Sequence, residues 1–395
     1  MHHQHLLVIR FSALGDVAMT VPVVWALARQ YPHLRITVLS RFSSRPFFEG
    51  IAPNVNFMGA DFKHEYHGVK GLNALYRRLV AKQLTAVADL HSVLRSNYLR
   101  IRFRMGNYPV AHIDKHRNLR HRLTAPQPKK VLQPIPTSFQ NYIDVFARLG
   151  FPIDPENLCF RTIFESAERA ENSELSENSE HSELSEHSEL SQNSELSPLP
   201  TGDLSLLSPA IGLKQPGEQW IGIAPFATYE GKIYPLPLME RVIAQLTERY
   251  PNARLFFFGR GENEEAVFKT WTERWPQSLY VGDHTDGLRQ ELIVMSHLNV
   301  MLSMDSSNMH MASLTATPVV SIWGATHPYA GFMGWGQSED NALQVSDLDC
   351  RPCSIYGKNP CARGDYACMN SIKPESIVQK VGEIVENGMR EKERE

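Results

Sequence analysis

Short apolar runs alternate with amphipathic segments along most of the chain, and this alternation constrains the fold more than any other feature. The apolar runs have strand length and lie at 6–11, 35–40, 55–59, 84–91, 109–114, 220–226, 253–259, 278–283, 299–305 and 319–324. Helical spacing is found between them, at 17–30, 72–83, from 93 onward, 138–150, 236–250, 263–273, 286–297 and from 306 onward. Strands that alternate with helices in this way predict an α/β fold with doubly wound parallel sheets.

A low-complexity segment at 165–197 separates the two halves of this pattern. It repeats Ser-Glu-X triplets, and a period of three gives neither a helical nor a strand face. We expect an acidic, largely disordered insert, with a partly helical spacer as the alternative. The predicted domains are therefore 1–164 and 211–372, joined by a linker over 165–210. A C-terminal helix over 373–395 is predicted to cross back to the first domain.

The charge is distributed unevenly between the halves. The chain has 395 residues, enough for two domains, and a net charge of -3, but residues 1–164 carry 22 Lys and Arg against 9 Asp and Glu. This +13 excess indicates an anionic partner. Ten of the cations lie between Arg95 and Lys130, without the aromatic spacing of nucleic-acid stacking sites, so nucleic acid is not the expected partner.

Nothing in the sequence predicts a membrane span or a secretory signal. No apolar run reaches the roughly 18 residues that a membrane-spanning helix needs. The N-terminal string MHHQHLLVIRF has no basic start, and Arg10 interrupts its apolar stretch. A cytoplasmic location is therefore expected.

Ligands of such sheets bind at the carboxyl ends of the strands, so the loops at those ends are the places to look for chemistry. The first loop, RFSALGD at 10–16, ends in Gly15 and Asp16 at a predicted helix start. Asp16 has two interpretations: a residue that caps the helix, or a general base aimed into a cleft. One glycine alone does not make a dinucleotide fingerprint.

Three loops of the second half carry groups that suit a nucleotide diphosphate. Thr228 and Lys232 offer a hydroxyl and a cation, and the glutamates after Gly259 can bind ribose hydroxyls or start a helix. In MDSSNMHMA, Asp305 ends a strand and a helix begins. The amides of that helix start can hold phosphates; the residues concerned are Ser306, Ser307 and Asn308, and His310 follows one turn later.

Four cysteines lie within 19 residues near the C-terminus, with the spacing C-x2-C-x7-C-x6-C. They are Cys350, Cys353, Cys361 and Cys368. In a reducing compartment such a cluster indicates structural zinc more than disulfides. Packing cysteines or a redox-labile pair are the alternatives, because the second pair lacks the tight knuckle spacing. Cys159 stands alone and is expected to be a small buried residue.

Four segments of the sequence are informative together: IRFSALGDVAMTVPVVWALARQYP, DLHSVLRS, the loop ending in Lys232, and MDSSNMHMASLTATPVVSIWGATHP. In this order they resemble glycosyltransferase family 9, the ADP-heptose:lipopolysaccharide heptosyltransferases. The resemblance covers nearly the whole chain outside the insert. It implies a GT-B fold, in which two Rossmann-like domains face a cleft, with the acceptor on the first domain and the nucleotide sugar on the second.

The resemblance also implies roles for individual residues. Asp16 corresponds to the catalytic aspartate of an inverting transfer that needs no metal or other cofactor. The donor-binding residues are then Thr228, Lys232, Glu264, Asp305, Ser306, Ser307, Asn308 and His310, with Glu262 and Glu265 as competitors for the ribose-binding role of Glu264. Ser307 stands where the family often has glycine, and its side chain can crowd the diphosphate or alter the choice of sugar.

The implied partners are ADP-heptose and an anionic lipopolysaccharide-type acceptor at the cytoplasmic face of the inner membrane. Four cations of the basic half are predicted to bind that acceptor: Arg95, Arg117, Arg120 and Arg122. Two alternatives stay open. One is a transferase of the same fold that uses another nucleotide sugar, and the other is a non-catalytic binder of anionic glycans.

Overall fold

The computed structural model describes residues 4–154, 160, 163 and 202–392. The Ser/Glu-rich insert predicted at 165–197 and Cys159 lie outside these residues. Within the linker predicted to end at 210, Leu204 and Leu207 are buried. This part of the predicted linker therefore belongs to the packed structure.

The first half forms a five-stranded parallel sheet with the order β3-β2-β1-β4-β5. Its strands are β1 His5–Ile9, β2 Arg35–Ser40, β3 Val55–Gly59, β4 Ala86–Asp89 and β5 Val110–His112. Its helices are α1 Leu14–Ala18, α2 Val21–Gln30, α3 Gly68–Val80, α4 Leu94–Met105, α5 Arg117–Leu123 and α6 Ser138–Ala147. The helix expected at 17–30 is thus two helices. Pro22, in the first turn of α2, has no N–H to continue the hydrogen-bond ladder of α1.

The second half forms a six-stranded parallel sheet with the order β11-β10-β9-β6-β7-β8. Its strands are β6 Trp220–Ala224, β7 Arg254–Phe257, β8 Ser278–Tyr280, β9 Val300–Met304, β10 Val319–Trp323 and β11 Ala342–Gln344. Its helices are α7 Leu236–Arg249, α8 Glu262–Arg274, α9 Leu288–Ser296, α10 Ser307–Leu314, α11 Ala367–Asn370 and α12 Pro374–Lys392. The sequence pattern missed α5, β11 and α11, which are short and have no clear apolar period.

In both sheets the strand order reverses beside the first strand of the domain. Leu7 of β1 pairs with Thr37 on one side and Val87 on the other, and Ile221 of β6 lies in the same way between Leu255 and Val300. Every residue of β1 and β6 is buried, as expected for strands covered by helices on both faces. The predicted fold class, two doubly wound parallel sheets, is confirmed, and each sheet places a ligand-binding crevice at its point of reversal.

The two domains share an apolar core and several direct hydrogen bonds. One cluster of buried side chains contains Val17 and Val24 from the first domain and Met309 and Trp323 from the second. Across the junction the backbone N–H of Ile135 donates to the carbonyl of Tyr329 at 3.0 Å, and that of Ser138 donates to Gly331 at 3.0 Å. These contacts hold the two crevices face to face.

The C-terminal helix α12 packs on its own domain, against α7, β9 and β10, so the prediction that it crosses back to the first domain is wrong. Its apolar side, with Ile377 and Val381 fully buried, completes the core under the second sheet. On its polar side Glu386 pairs with Arg249 of α7 at 2.6 Å. The apolar side of α12 is therefore buried against the second sheet.

Among the described residues, no helix combines the length and the apolar character that crossing a membrane requires.

Candidate active site

A cavity of about 1060 Å³ opens between the carboxyl ends of the two sheets. The first domain contributes the start of α1 and the turn that follows β2, and the second contributes loops after β6, β7 and β9. All the residues predicted to catalyse the reaction or to bind the donor line this cavity: Asp16, Thr228, Lys232, Glu264, Asp305, Ser306, Ser307, Asn308 and His310. The structure therefore brings these residues together around one cavity, and their roles stay predictions.

Asp16 lies in the first turn of α1 with its side chain about a quarter exposed to the cavity. Its Oδ2 accepts a hydrogen bond from the backbone N–H of Ala13 at 3.2 Å and lies 2.5 Å from Nη2 of Arg10. Burial alone would raise the pKa of this carboxyl, but Arg10, the Ala13 amide and His310 outweigh it and lower the pKa below its ordinary value. Asp16 is therefore ionised, and it both caps α1 and faces the cavity.

Arg10 is a site residue that the sequence analysis did not identify. It is buried at the end of β1, where its Nη1 donates to the carbonyl of Leu90 at 2.6 Å and its guanidinium lies 6.0 Å from the ring centre of Tyr142. A lone arginine at the end of a strand matches no motif. Only its distance from Asp16 reveals that it sets the charge state of the carboxylate.

The two domains approach most closely where α1 meets α10. A Cβ atom on Gly15 would lie 2.6 Å from Cδ2 of His310 and 3.2 Å from Cα of Ser307. Only a residue without a side chain fits between these helices, which explains the single glycine in the first loop. This contact brings the carboxylate on α1 and the N-terminus of α10 to opposite sides of one cavity.

His310 is buried at this contact. Burial lowers its pKa to about 4, even though the carboxylates of Asp305 and Asp16 favour its charged form. The imidazole is therefore neutral at ordinary pH. Its Nδ1 is buried and has no hydrogen-bond partner among the described residues, while the residue itself lines the cavity.

Lys232 is held by Asp305. Its Nζ lies 3.1 Å from Oδ2 of Asp305, and the same oxygen accepts a hydrogen bond from Thr326 Oγ1 at 2.8 Å. Both charged side chains are largely buried. Asp305 therefore acts by fixing the position of the ammonium group.

The helix α10 begins at the cavity wall. Its N-cap residue, Ser306, is extended with φ -144° and ψ 179°, and no side chain caps the first turn. The first amide groups of such a helix have no partners within the helix and carry its positive dipole end. The N-terminus of α10 and the ammonium group of Lys232 together make one wall of the cavity electropositive.

A second electropositive group, Arg260, lies farther along this wall. Its Nε donates to Oε1 of Glu291 at 2.7 Å, and both side chains line the cavity. Glu264 accepts a hydrogen bond from the Arg260 backbone N–H at 2.9 Å. Burial raises the pKa of Glu264 despite this hydrogen bond. Of the three glutamates proposed for the ribose, only Glu264 lines the cavity, and no sequence pattern indicated the Arg260–Glu291 pair.

The four arginines predicted to bind the acceptor are not among the residues that line the cavity. Arg95, Arg117 and Arg122 are exposed, and the guanidinium of Arg95 lies 5.5 Å from the ring centre of Phe62. Arg120 hydrogen-bonds the hydroxyl of Tyr356, a cavity residue of the second domain. Arg120 thus connects the domains, and the acceptor role of all four stays a prediction.

The four clustered cysteines also come together. All are free thiols, and all line one enclosed cavity of about 20 Å³. The structure thus brings the four thiols together, and structural zinc, packing cysteines and a redox-labile pair all stay predictions.

Comparisons with known proteins agree with this architecture. The family model described as glycosyltransferase family 9 (heptosyltransferase) matches residues 72–359. Lipooligosaccharide heptosyltransferase 2 of Campylobacter jejuni is 27% identical over 89 residues, which is 22% of this chain and 26% of that enzyme. The matched segment thus spans about a quarter of this relative's length.

Two solved structures share the fold over nearly their whole length. The ADP-heptose lps heptosyltransferase II of E. coli superposes with a TM-score of 0.62 at 16% identity, over 98% of this chain and 100% of that one. A glycosyltransferase family 9 protein from Veillonella parvula gives a TM-score of 0.65 at 16% identity, over 98% of each chain. The predicted GT-B arrangement is therefore confirmed, and the chain belongs to glycosyltransferase family 9, the heptosyltransferase family.

Proposed function

We propose that the protein transfers a heptose from ADP-heptose to a lipopolysaccharide-type acceptor, with inversion at the anomeric carbon. The observation that supports this most directly is the arrangement of charge in the cavity. An ionised carboxylate, Asp16, stands on the first domain opposite an electropositive wall of Lys232 and the α10 N-terminus on the second. The E. coli protein that shares this fold is an ADP-heptose heptosyltransferase, which motivates the choice of donor.

Asp16 is the proposed general base. An acceptor hydroxyl is a weak nucleophile until its proton is removed as the new bond forms. Asp16 takes that proton while the hydroxyl oxygen bonds to the anomeric carbon and the bond to the diphosphate breaks on the opposite face. Attack opposite the leaving group inverts the configuration. The pairing with Arg10 keeps the carboxylate ionised and ready to accept the proton.

The electropositive wall stabilises the departing nucleoside diphosphate. Negative charge develops on the leaving oxygens, and a preorganised ammonium group and helix amides interact with that charge without reorganising. Asp305 preorganises the ammonium group of Lys232. The neutral imidazole of His310, which lines the cavity, adds a hydrogen bond to the sugar or phosphate. In this proposal the chain's own groups neutralise the diphosphate, so the transfer needs no catalytic metal.

The donor is tested by comparing ADP-heptose with UDP-sugars, following release of ADP or UDP with a lipopolysaccharide core acceptor. We expect turnover with ADP-heptose, and thermal stabilisation by ADP greater than that by UDP. Turnover with a UDP-sugar only would favour a transferase of the same fold with another donor. Binding of the glycan without turnover of any donor would favour the non-catalytic alternative.

We further propose that the exposed face of α4 brings the first domain to an anionic membrane surface, where such an acceptor is anchored. Leu94, Ile101 and Met105 are 87%, 55% and 75% exposed and recur at spacings of seven and four, so they share one helix face. Arg95 and Arg104 are exposed on the same helix. Apolar side chains flanked by arginines suit the interface of a bilayer with anionic lipids.

Sedimentation with lipid vesicles tests this surface. The wild type is expected to bind vesicles that contain phosphatidylglycerol and to bind pure phosphatidylcholine vesicles several-fold less. The triple variant Leu94→Glu, Ile101→Glu, Met105→Glu should lose the binding. Leu206 and Leu213, 63% and 60% exposed on the second domain, provide a matched control, in which Leu206→Glu with Leu213→Glu should bind as the wild type does. Equal binding by both variants would contradict the proposal.

A further inference from the structure

We propose that the cysteine cluster is a binding site for one thiolate-preferring metal ion of the zinc type, and that the bound ion fixes a wall of the donor cavity. The ligands are Cys350, Cys353, Cys361 and Cys368. The wall is the loop 354–360, which runs between the second and third of these ligands. The first part of the proposal stands by itself, and the second rests on the donor-binding role proposed above for the cavity.

The size and lining of the small cavity suit a single ion. Its volume of about 20 Å³ is close to that needed for one water-sized atom. All four cysteines line it, together with Ala325 and Arg351 among others. In the described residues no three His, Cys, Asp or Glu side chains already form a metal-ligand group, so binding requires the thiols to turn inward about their Cα–Cβ bonds.

Two cations next to the cluster lack an anionic partner. Arg351 is buried and donates to the carbonyl oxygens of Gly324 at 2.6 Å and Thr326 at 2.9 Å. Lys130, half-buried on the first domain, donates to the carbonyls of Asp349 and Arg351, each at 2.8 Å. Among the described residues neither lies within 4.0 Å of a carboxylate oxygen, and the more distant Asp349 is the carboxylate that favours the charged form of Lys130. Charges removed from water normally have a counter-charge, which thiols in their neutral form do not provide.

A metal–tetrathiolate centre supplies that counter-charge. Four thiolates around a divalent ion carry a net charge of about -2, which balances the two cations. The loop after Cys361 contributes as well. Backbone N–H groups of Arg363 to Tyr366 lie near the Cys361 sulfur, and amides so placed stabilise metal-bound thiolates. Binding releases the thiol protons to solvent and changes no oxidation state.

The same loop forms part of the donor cavity. Ile355 and Tyr356 line the large cavity, and Gly357, with φ +74°, packs on the stem of Lys232, where a Cβ atom would lie 2.5 Å from its Cδ. Near the other end, Tyr366 donates from its hydroxyl to Glu230 at 2.7 Å. A metal that fixes the cysteines at both ends of the loop therefore fixes the surface on which Lys232 rests.

Metal content is the direct test. Protein purified under reducing conditions, without chelator, is expected to contain about one zinc per chain by mass spectrometry. Cobalt(II) added to metal-free protein should give the intense charge-transfer absorption of a tetrahedral thiolate site. Cys361→Ser and Cys368→Ser should lose most of the metal, while Cys159→Ser, which removes the fifth cysteine, should keep it. Wild type with no bound metal and no cobalt–thiolate absorption would overturn the proposal.

The effect on the donor cavity is measured separately. Metal removal should weaken ADP binding by about tenfold, and added zinc should restore it, with circular dichroism to show that the fold persists. Unchanged ADP affinity in metal-free protein would refute the coupling to the donor wall. A chain that binds metal but no ADP would instead refute the proposed donor. Failure of the metal site and failure of the transferase function thus give different results.

Discussion

Asp16→Asn is expected to lower kcat by about 10²–10⁴-fold, the usual contribution of a general base, while ADP affinity stays unchanged. Asparagine has nearly the same shape, and its amide oxygen can still accept the Ala13 N–H. It cannot take a proton from the acceptor at neutral pH. The measurement is steady-state release of ADP from ADP-heptose, with ADP binding followed by calorimetry.

Asp144→Asn is the matched control, because Asp144 is an exposed aspartate of the same domain on α6. Its kcat should equal that of the wild type. If Asp16→Asn keeps more than about a tenth of the wild-type kcat, the assignment of the base is wrong.

The pH profile separates a base from a residue that only shapes the site. Catalysis needs the ionised carboxylate, so kcat/KM falls as the pH drops through the pKa of Asp16. In the wild type that pKa lies below the ordinary aspartate value, and the acidic limb should lie equally low. In Arg10→Gln the guanidinium no longer opposes the effect of burial on the pKa of Asp16. The acidic limb of the kcat/KM profile should therefore move up by about 1–3 pH units. An unchanged limb would mean that another group controls the rate.

Lys232→Met is expected to lower kcat by about 10²–10³-fold and also to weaken ADP binding. Methionine keeps most of the aliphatic stem that packs on Gly357 but removes the charge that faces the leaving diphosphate. Asp305 holds the ammonium group at 3.1 Å, so little reorganisation precedes its action on the transition state. Single-turnover kinetics and calorimetry with ADP measure the two effects.

Asp305→Asn serves as the companion variant in a double-mutant cycle. If Asp305 acts only by positioning Lys232, its substitution should lower the rate in the wild-type background and have little further effect in Lys232→Met. Lys269→Met removes an exposed lysine from α8 of the same domain and should leave the rate unchanged. Fully additive losses at Lys232 and Asp305 would show that the aspartate has an independent role.

The sequence predicted the alternating sheets well because they depend on local patterns, and local patterns also selected the loops that form the electropositive wall of the cavity. Buried parallel strands read as apolar runs, and the rule that ligands bind at strand ends selects the loops that contain Lys232 and Asp305. The family strings then assigned roles to residues such as His310, whose position in a helix does not by itself distinguish a ligand from a core residue.

The sequence did not reveal side-chain pairs that depend on how loops fold. Arg10 and Asp16 lie in the same loop, but their pairing depends on the path of that loop, and Arg260 meets Glu291 from a different loop. The break between α1 and α2 depends on one missing N–H at Pro22. The packing of α12 on its own domain depends on which apolar surface is available, and a helical period contains no information about that surface.

The contact at Gly15 has a thermodynamic consequence. Because α1 and α10 meet there without an intervening side chain, the two domains touch directly beside the cavity, and we expect a ligand bound on either domain to alter the free energy of that contact. Coupling between two equilibrium binding sites is reciprocal. If the proposed donor raises acceptor affinity through this contact by some factor, the acceptor must raise donor affinity by the same factor.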